Sequence, residues 1–275
     1  MRPSALGLIA LIALALPTPR AGAIYTDDLN PPQQMIGALA PGRVGFLPGL
    51  DFSGIGITED ASGGLRGATA ISRSFVVSAT HYPAFGVMDF IGSDGTPVRD
   101  QIVATVSNVG GTDLSLSMLA VPLPPTVAIY SVPTSDMVPM GTIGYVVGGS
   151  RIVGEGVIAT VGNPDLPGVW INYATYDDHP VHAAYTTNGD SGFPTFVDVG
   201  GSLAIVGTHY AGGATYMDAD ITSVVPQIDA AMLALGSSDQ VTIATIPATP
   251  EPASLALLAG GLTIGAVARR LARRR

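Results

Sequence analysis

The sequence predicts an all-β protein with a single folded body of about 200 residues. The 275 residues include 35 Gly and 22 Pro, a content typical of short strands joined by turns and unfavourable for long helices. Hydrophobic residues make up 47% of the chain, which is enough for a buried core. Apolar runs of strand length recur through the body, whereas only one body segment has helical periodicity.

Residues 1–23 predict a secretory signal peptide. Arg2 precedes an apolar run over 5–16, and Ala21-Gly22-Ala23 has the small-x-small pattern of a signal-peptidase site. An N-terminal membrane anchor is the alternative, but the apolar run is short for a span. The folded body is therefore expected to begin at Ile24 and to extend to residue 235.

Two groups of strand-like segments follow, separated by a proline-rich crossover. In the first group, 68–79 leads directly into Thr80-His81-Tyr82, and a turn at 108–113 ends on Asp113 before the apolar run 114–121. Pro122, Pro124, Pro125 and Pro133 mark the crossover, which is unsuited to a central strand. The second group comprises the segments 141–148, 152–161, 169–174, 193–197 and 203–208.

One helix is predicted at 223–235. Its apolar residues Val224, Ile228, Met232 and Leu235 recur at helical spacing, and Gly236 provides a stop. Residues 236–249 are rich in Ser, Thr and Pro and are expected to form a linker.

Residues 250–275 form a three-part tail: Pro250-Glu251-Pro252, an apolar run over 253–268, and a basic end with five arginines. Sixteen apolar residues make about 24 Å of helix, which only marginally spans a bilayer. The order of parts resembles the PEP-CTERM sorting signal of exported bacterial proteins. The resemblance implies processing by an exosortase-type enzyme, transient membrane insertion through this helix, and a final place in the envelope, surface or matrix of a Gram-negative-type bacterium. A plain C-terminal membrane anchor is the alternative.

The charge and cysteine content exclude two classes of function. Residues 24–248 carry 20 acidic residues against 5 arginines, a net charge of −15 that repels nucleic-acid phosphates. The chain has no cysteine, so neither thiol catalysis nor a disulfide is available to it.

Three residues suited to nucleophilic catalysis stand in the order His81, Asp113, Ser191. A serine hydroxyl needs a base to take its proton, and a carboxylate on the far ring nitrogen fixes the tautomer of an imidazole base. Ser191 lies in Gly189-Asp190-Ser191-Gly192, where glycines permit a tight backbone with exposed amides. Singly, each motif is also compatible with a turn or a packed polar residue.

Together, Ser78-Ala79-Thr80-His81, Thr112-Asp113-Leu114 and Gly189-Asp190-Ser191-Gly192-Phe193-Pro194 resemble the three catalytic motifs of the trypsin-like, chymotrypsin-fold serine proteases. The resemblance implies two antiparallel β-barrels, at about 36–121 and 134–222, with the active site between them. It also implies Ser191 as nucleophile, His81 as general base, Asp113 as its orienting carboxylate, and an oxyanion hole formed by the amides of Gly189 and Ser191. No cofactor is implied.

The same resemblance gives expectations for substrate binding. Tyr185 stands at the base of the substrate pocket, which gives no support for cleavage after Arg or Lys. The segment Gly207-Thr208-His209-Tyr210-Ala211-Gly212 resembles the pocket segment of bacterial glutamyl endopeptidases, although Ala211 departs from their pattern. His209, with Thr186 and Gly212, is thus expected to favour an acidic residue before the scissile bond. A packed strand histidine is the alternative.

Two further expectations concern activation and metals. In the family a freed Ile or Val amino terminus pairs with the aspartate before the nucleophile, here Asp190, and Ile24 or Ile36 could supply it. His179 and His182 lie near two aspartates, but a proline interrupts the segment and no metal site is predicted.

The function expected from the sequence is a secreted or envelope-anchored serine endopeptidase whose partners are a protein or peptide substrate, signal peptidase and the sorting enzyme. An inactive protease-fold binding protein and an esterase with the same triad are the alternatives.

Overall fold

The computed structural model describes residues 25–26, 49–149, 152–160, 169–172, 184–186, 188–211 and 215–245. The predicted signal peptide and C-terminal tail lie outside these residues, as do Ile24, Ile36, His179, His182 and Gly212. No helix within the described ranges is long and apolar enough to cross a membrane.

The described chain is all-β and forms two closed antiparallel barrels, as the sequence predicts. A short strand, β1 (Tyr25–Thr26), precedes the first barrel. That barrel contains β2 (Ile55–Glu59), β3 (Leu65–Ala70), β4 (Phe75–Ala79), β5 (Val87–Ile91), β6 (Pro97–Val106) and β7 (Leu114–Leu119), in the order β2-β3-β4-β7-β6-β5.

The second barrel contains β8 (Ile143–Gly148), β9 (Ile152–Thr160), β10 (Val169–Asn172), β12 (Pro194–Asp198), β13 (Leu203–Ala211) and β14 (Thr215–Asp220). Its strand order is β10-β14-β13-β12-β8-β9. Strand β11 (Ala184–Tyr185) lies outside the barrel and pairs with β1. Short 3-10 helices occupy Val109–Gly111 and Ser135–Met137.

One hydrophobic cluster spans the two barrels, and each barrel also has a buried cluster of its own. Phe52, from the first half, packs edge-on against Phe196 of β12, with 6.0 Å between ring centroids. Tyr130, in the crossover, packs against the same Phe196 ring at 4.5 Å. The Tyr130 hydroxyl accepts a hydrogen bond from the Gly54 amide and donates one to the Asp51 carbonyl, so this buried phenol is fully paired. The crossover therefore fixes one barrel against the other.

Helix α1 (Val225–Ala234) closes the body, with Ile228 and Met232 buried beneath it. Its N-terminal end packs against the 3-10 helix at Val109–Gly111, where an added Cβ on Gly110 would lie 2.5 Å from Val224. The helix thus covers the base of the turn that ends at Asp113.

The chain after α1 differs from the predicted linker. Residues 237–245 lie on the body: the Val132 amide donates to the Thr242 carbonyl, and the Ala244 amide donates to the Val132 carbonyl. Val241 and Ala244 are both buried. Their apolar side chains are three residues apart and lie buried beside the crossover. The polar composition of the segment gave no signal of this burial.

Candidate active site

His81 and Asp113 are brought together by the pairing of two adjacent strands of the first barrel. Strands β4 and β7 run antiparallel, with Ala79 opposite Leu114. Thr80-His81 therefore leaves the end of β4 at the point where Asp113 enters β7, and the Thr80 amide donates to the Asp113 carbonyl at 2.7 Å. The strand register alone places the imidazole beside the carboxylate.

Ser191 completes a hydrogen-bonded chain of three side chains that joins the barrels. The distance from Ser191 Oγ to His81 Nε2 is 2.9 Å, and that from His81 Nδ1 to Asp113 Oδ2 is 2.6 Å. The His81 amide also donates to Asp113 Oδ1 at 3.0 Å. Because a carboxylate only accepts, Nδ1 carries the proton and Nε2 is left to accept from the serine hydroxyl. The His81 side chain is 46% exposed, so the reacting edge faces solvent.

The loop around Ser191 is a tight turn held by its own backbone. The Phe193 amide donates to the Asp190 carbonyl at 3.1 Å, and the Gly192 amide donates to the His209 carbonyl at 2.9 Å. Gly189 has φ of 102°, a conformation that favours glycine. Within the described part of the chain, the amides of Gly189 and Ser191 donate to no protein acceptor. Two amides in such a turn can receive a developing oxyanion.

Asp190 is completely buried beneath this turn. Its Oδ1 accepts a hydrogen bond of 2.8 Å from the Gly149 amide, at the end of β8. A buried carboxylate bonded to backbone N–H fixes the loop, because moving it would leave a charge without its donor. The sequence had identified Asp190 but not Gly149, since a backbone donor from a distant strand has no side-chain signal.

The residues predicted to line the substrate pocket have different surroundings. Thr186 is 2% exposed, and its hydroxyl has no hydrogen-bond partner in the described chain. Tyr185 lies in β11, opposite Tyr25 of β1. Gly212 lies outside the described residues. The acidic-pocket hypothesis therefore stays a prediction.

His209 is buried in β13 with both ring nitrogens engaged. Its Nδ1 lies 2.6 Å from Asp218 Oδ1, and its Nε2 lies 2.9 Å from the Val147 carbonyl oxygen. Asp218, on β14, did not stand out in the sequence analysis. Its position opposite His209 is set by the register of β13 and β14, which the sequence alone does not specify.

A second cluster that the sequence did not reveal supports the His81 loop. The Arg66 guanidinium of β3 lies 4.0 Å above the Tyr82 ring and 4.8 Å from the Phe85 ring. It donates to the Pro83 carbonyl and pairs with Asp60 Oδ2 at 3.4 Å. Hydrogen bonds from the Ser62 hydroxyl and the Gly64 amide lower the pKa of Asp60 to about 2, so it remains an anion near neutral pH. The cluster connects β3 to the residue next to His81.

No group of three or more potential metal ligands occurs among the described residues. The segment with His179 and His182 lies outside them.

No protein-family model and no curated protein matches this sequence. Many chains of solved structures do match. One of these, titled as the atomic-resolution structure of HBP, aligns with a TM-score of 0.52 and 15% identity over 66% of this chain and 92% of that chain. At this identity the likeness shows a common fold and nothing about activity.

Proposed function

We propose that this protein is a serine hydrolase, and specifically a serine endopeptidase that works through an acyl-enzyme. The observation that carries the proposal is the continuous hydrogen-bonded chain from Ser191 Oγ through His81 to Asp113, with both bonds below 3 Å. His81 and Ser191 are 110 positions apart in the sequence and come from different barrels. Together with Asp113 they have the geometry of an activated nucleophile.

In the proposed reaction, His81 Nε2 takes the proton of the Ser191 hydroxyl as Oγ attacks the carbonyl carbon of the substrate. The resulting oxyanion accepts hydrogen bonds from the amides of Gly189 and Ser191. His81 then donates the proton to the leaving amine, the C–N bond breaks, and the acyl group remains on Ser191. His81 next takes a proton from a water molecule whose oxygen attacks the acyl carbon. The bond between this carbon and Ser191 Oγ then breaks, the acid leaves, and His81 returns the proton to Ser191 Oγ. Asp113 stabilises the imidazolium that forms in each half.

The endopeptidase assignment, rather than an esterase, rests on the three motifs that resemble trypsin-like proteases. The triad geometry supports acyl transfer in general, so the kind of scissile bond is decided by experiment. Peptide and ester substrates with the same acyl portion separate the two, because an esterase hydrolyses only the ester at a useful rate.

We also propose that the enzyme is exported and processed at both ends, as the terminal motifs predict. Cleavage after Ala23 would give an amino terminus at Ile24, and sorting at the Pro-Glu-Pro tail would follow export. Sequencing of the mature N-terminus and intact mass measurement of the envelope-associated protein test both steps.

Of the two candidates for the activating amino terminus, we propose Ile24. The next residue, Tyr25, pairs through its backbone with Tyr185, five positions before the buried Asp190. This pairing joins β1 to the strand that precedes Ser191 in the chain. A version with one extra residue before Ile24 is expected to lose activity and to keep its fold, whereas full activity in that version would rule out the role of Ile24.

The decisive test is hydrolysis of a peptide library by the purified mature protein and by its Ser191→Ala variant. The alanine variant is expected to lose at least about 10⁴-fold in kcat/KM. Ser107→Ala, which removes an exposed hydroxyl, is the matched control and should retain full activity. A correctly processed and folded protein that cleaves neither peptides nor esters would favour the inactive binding protein.

A further inference from the structure

His209 belongs to β13, the strand that holds residues 189–193, the nucleophile loop of the proposed hydrolase, in place. Its carbonyl accepts from the Gly192 amide at 2.9 Å, and its own amide donates to the Phe193 carbonyl at 2.9 Å. Both partners follow Ser191 immediately in the chain. Any shift of His209 is thus transmitted through two backbone hydrogen bonds to the two residues that follow Ser191.

Each nitrogen of the His209 ring lies within hydrogen-bond distance of an oxygen atom of the protein. The Asp218 carboxylate lies 2.6 Å from Nδ1, and the Val147 carbonyl oxygen lies 2.9 Å from Nε2. A carbonyl oxygen and an ionised carboxylate only accept, so with Asp218 ionised each bond requires a proton on the ring nitrogen. A ring protonated on both nitrogens is an imidazolium.

The electrostatic surroundings agree with this charge state. Asp218 is completely buried, and its Oδ2 has no hydrogen-bond partner in the described chain, so the imidazolium is a counter-charge that a buried carboxylate requires. Burial by itself lowers the pKa of His209, but Asp218, Asp190 and the Val147 carbonyl outweigh it, and the pKa is raised. These groups come from β14, the nucleophile loop and β8.

Building on the proposed hydrolase, we propose that His209 is a positioning residue, an imidazolium that fixes the nucleophile loop through β13 and neutralises Asp218, and is not a ligand for the substrate. Since both ring protons are already donated to protein oxygens, no ring N–H is directed at a substrate carboxylate. Any preference for acidic residues must then arise from other groups. This assigns to His209 a role different from the pocket role predicted from the sequence.

The sign of the pH dependence follows from the raised pKa. The stabilisation from the imidazolium is fully present below the ordinary histidine pKa of about 6.5 and is lost as the pH rises through the higher folded-state pKa. When the proton leaves, either Asp218 or Val147 loses its donor. The nucleophile loop is then expected to loosen as the pH rises through the folded-state pKa of His209.

The charge state can be measured without any enzymatic activity. The chain has four histidines, so the variant His81→Ala/His179→Ala/His182→Ala contains only His209. In this variant, ¹H–¹⁵N correlation spectra of the imidazole at pH 5 to 9 should show both ring nitrogens protonated at the acidic end, with a midpoint above 6.5. A ring with one protonated nitrogen at pH 6, or a midpoint at or below 6.5, would overturn the proposal, whether or not the wild-type protein is a hydrolase.

The positioning role is tested in the otherwise native chain by Asp218→Asn. Loss of the carboxylate should lower kcat by about 10²-fold, to the same extent for substrates with acidic, apolar or basic residues before the scissile bond, and should move the alkaline limb of kcat to lower pH. Asp220→Asn, two residues along the same buried strand, is the matched control and should leave that limb unchanged.

A selective loss of cleavage after acidic residues, with the pH profile unchanged, would instead assign His209 to the substrate pocket. If Asp218→Asn does not fold, the spectrum of the single-histidine chain decides the charge state alone.

Discussion

Gly192 is the residue at which the nucleophile loop touches the first barrel. Its φ is +86°, and an added Cβ would lie 2.5 Å from Ser78 Oγ and 2.8 Å from the Gly67 carbonyl oxygen. Gly67 is equally confined, because its own Cβ would lie 2.6 Å from the Phe193 ring. The close approach of the two barrels, and with it the distance from Ser191 to His81, therefore requires glycine at both Gly67 and Gly192.

Gly192→Ala is expected to destabilise the protein and to lower kcat. A left-handed φ costs an alanine about 1 to 2 kcal/mol, and the clash with the first barrel adds to this. Gly201 has φ of +88° with nothing within 4 Å of its virtual Cβ, so Gly201→Ala carries the backbone cost alone. Urea unfolding measures the loss of unfolding free energy in each variant, and the difference between the two losses gives the cost of the clash between the barrels. Equal losses would show that this clash costs nothing.

Asp113→Asn tests the role of the carboxylate with little change of shape. The amide can donate to His81 Nδ1, which would favour the tautomer with a proton on Nε2, and this tautomer cannot accept the serine proton. We expect kcat to fall by about 10⁴-fold with little change in KM. Steady-state kinetics on a peptide substrate measure both constants. A variant with kcat within tenfold of the wild type would contradict the proposed role.

At the scale of elements, β3 and the loop after β4 are joined by the cluster of Arg66, Tyr82 and Asp60. The guanidinium contacts a ring and a carboxylate, and Arg66 is largely buried, with 18% of its side chain exposed. Cation–π contacts with restricted solvent access are worth more than exposed ion pairs. In a chain without disulfides, this cluster restrains the loop that carries His81.

Arg66→Met is accordingly expected to lower the free energy of unfolding by about 1 to 3 kcal/mol and to reduce kcat more than it raises KM. Arg99→Met removes an ion pair between Arg99 and Asp89, whose side chains are 70% and 49% exposed, respectively. Because this pair is exposed, its loss should change the free energy of unfolding by less than about 0.5 kcal/mol. Thermal unfolding and kinetics of the two variants give the comparison. Similar behaviour of both would mean that the cluster does not support the loop.

Several strands and the triad could be predicted from the sequence because their signals are local, whereas β2, β5 and β14 lie in segments for which no strand was predicted. Apolar runs bounded by Gly and Pro indicate strands, and His81, Asp113 and Ser191 each lie in a short, ordered motif. The partners of these residues are not local. Gly149, Asp218 and Arg66 become neighbours of the site only through strand register and barrel closure, which a single sequence does not specify.

For the whole molecule, the prediction of two antiparallel barrels is confirmed, and the segment after α1 shows where composition misleads. Residues 237–245 are polar enough to indicate a linker, but Val241 and Ala244 are buried beside the crossover. Val132 and Ile243 form a parallel bridge there. The folded body therefore extends past residue 235.

A chain that ends at residue 249 should be more stable than one that ends at residue 236. The shorter chain loses the burial of Val241 and the backbone bonds to Val132, which is worth about 2 kcal/mol. For a body of this size we expect the melting temperature to fall by roughly 4 to 8 °C. Identical melting temperatures would show that residues 237–245 only lie on the surface.

The proposal that an activated serine lies between the two barrels is tested most directly by the site of a covalent adduct. The mature protein is treated with a fluorophosphonate, digested and mapped by mass spectrometry, beside the His81→Ala variant. We predict one adduct per chain, on Ser191, with a reaction rate lower by several orders of magnitude in His81→Ala. No adduct on Ser191 in the folded mature protein, or equal rates in the two proteins, would contradict it.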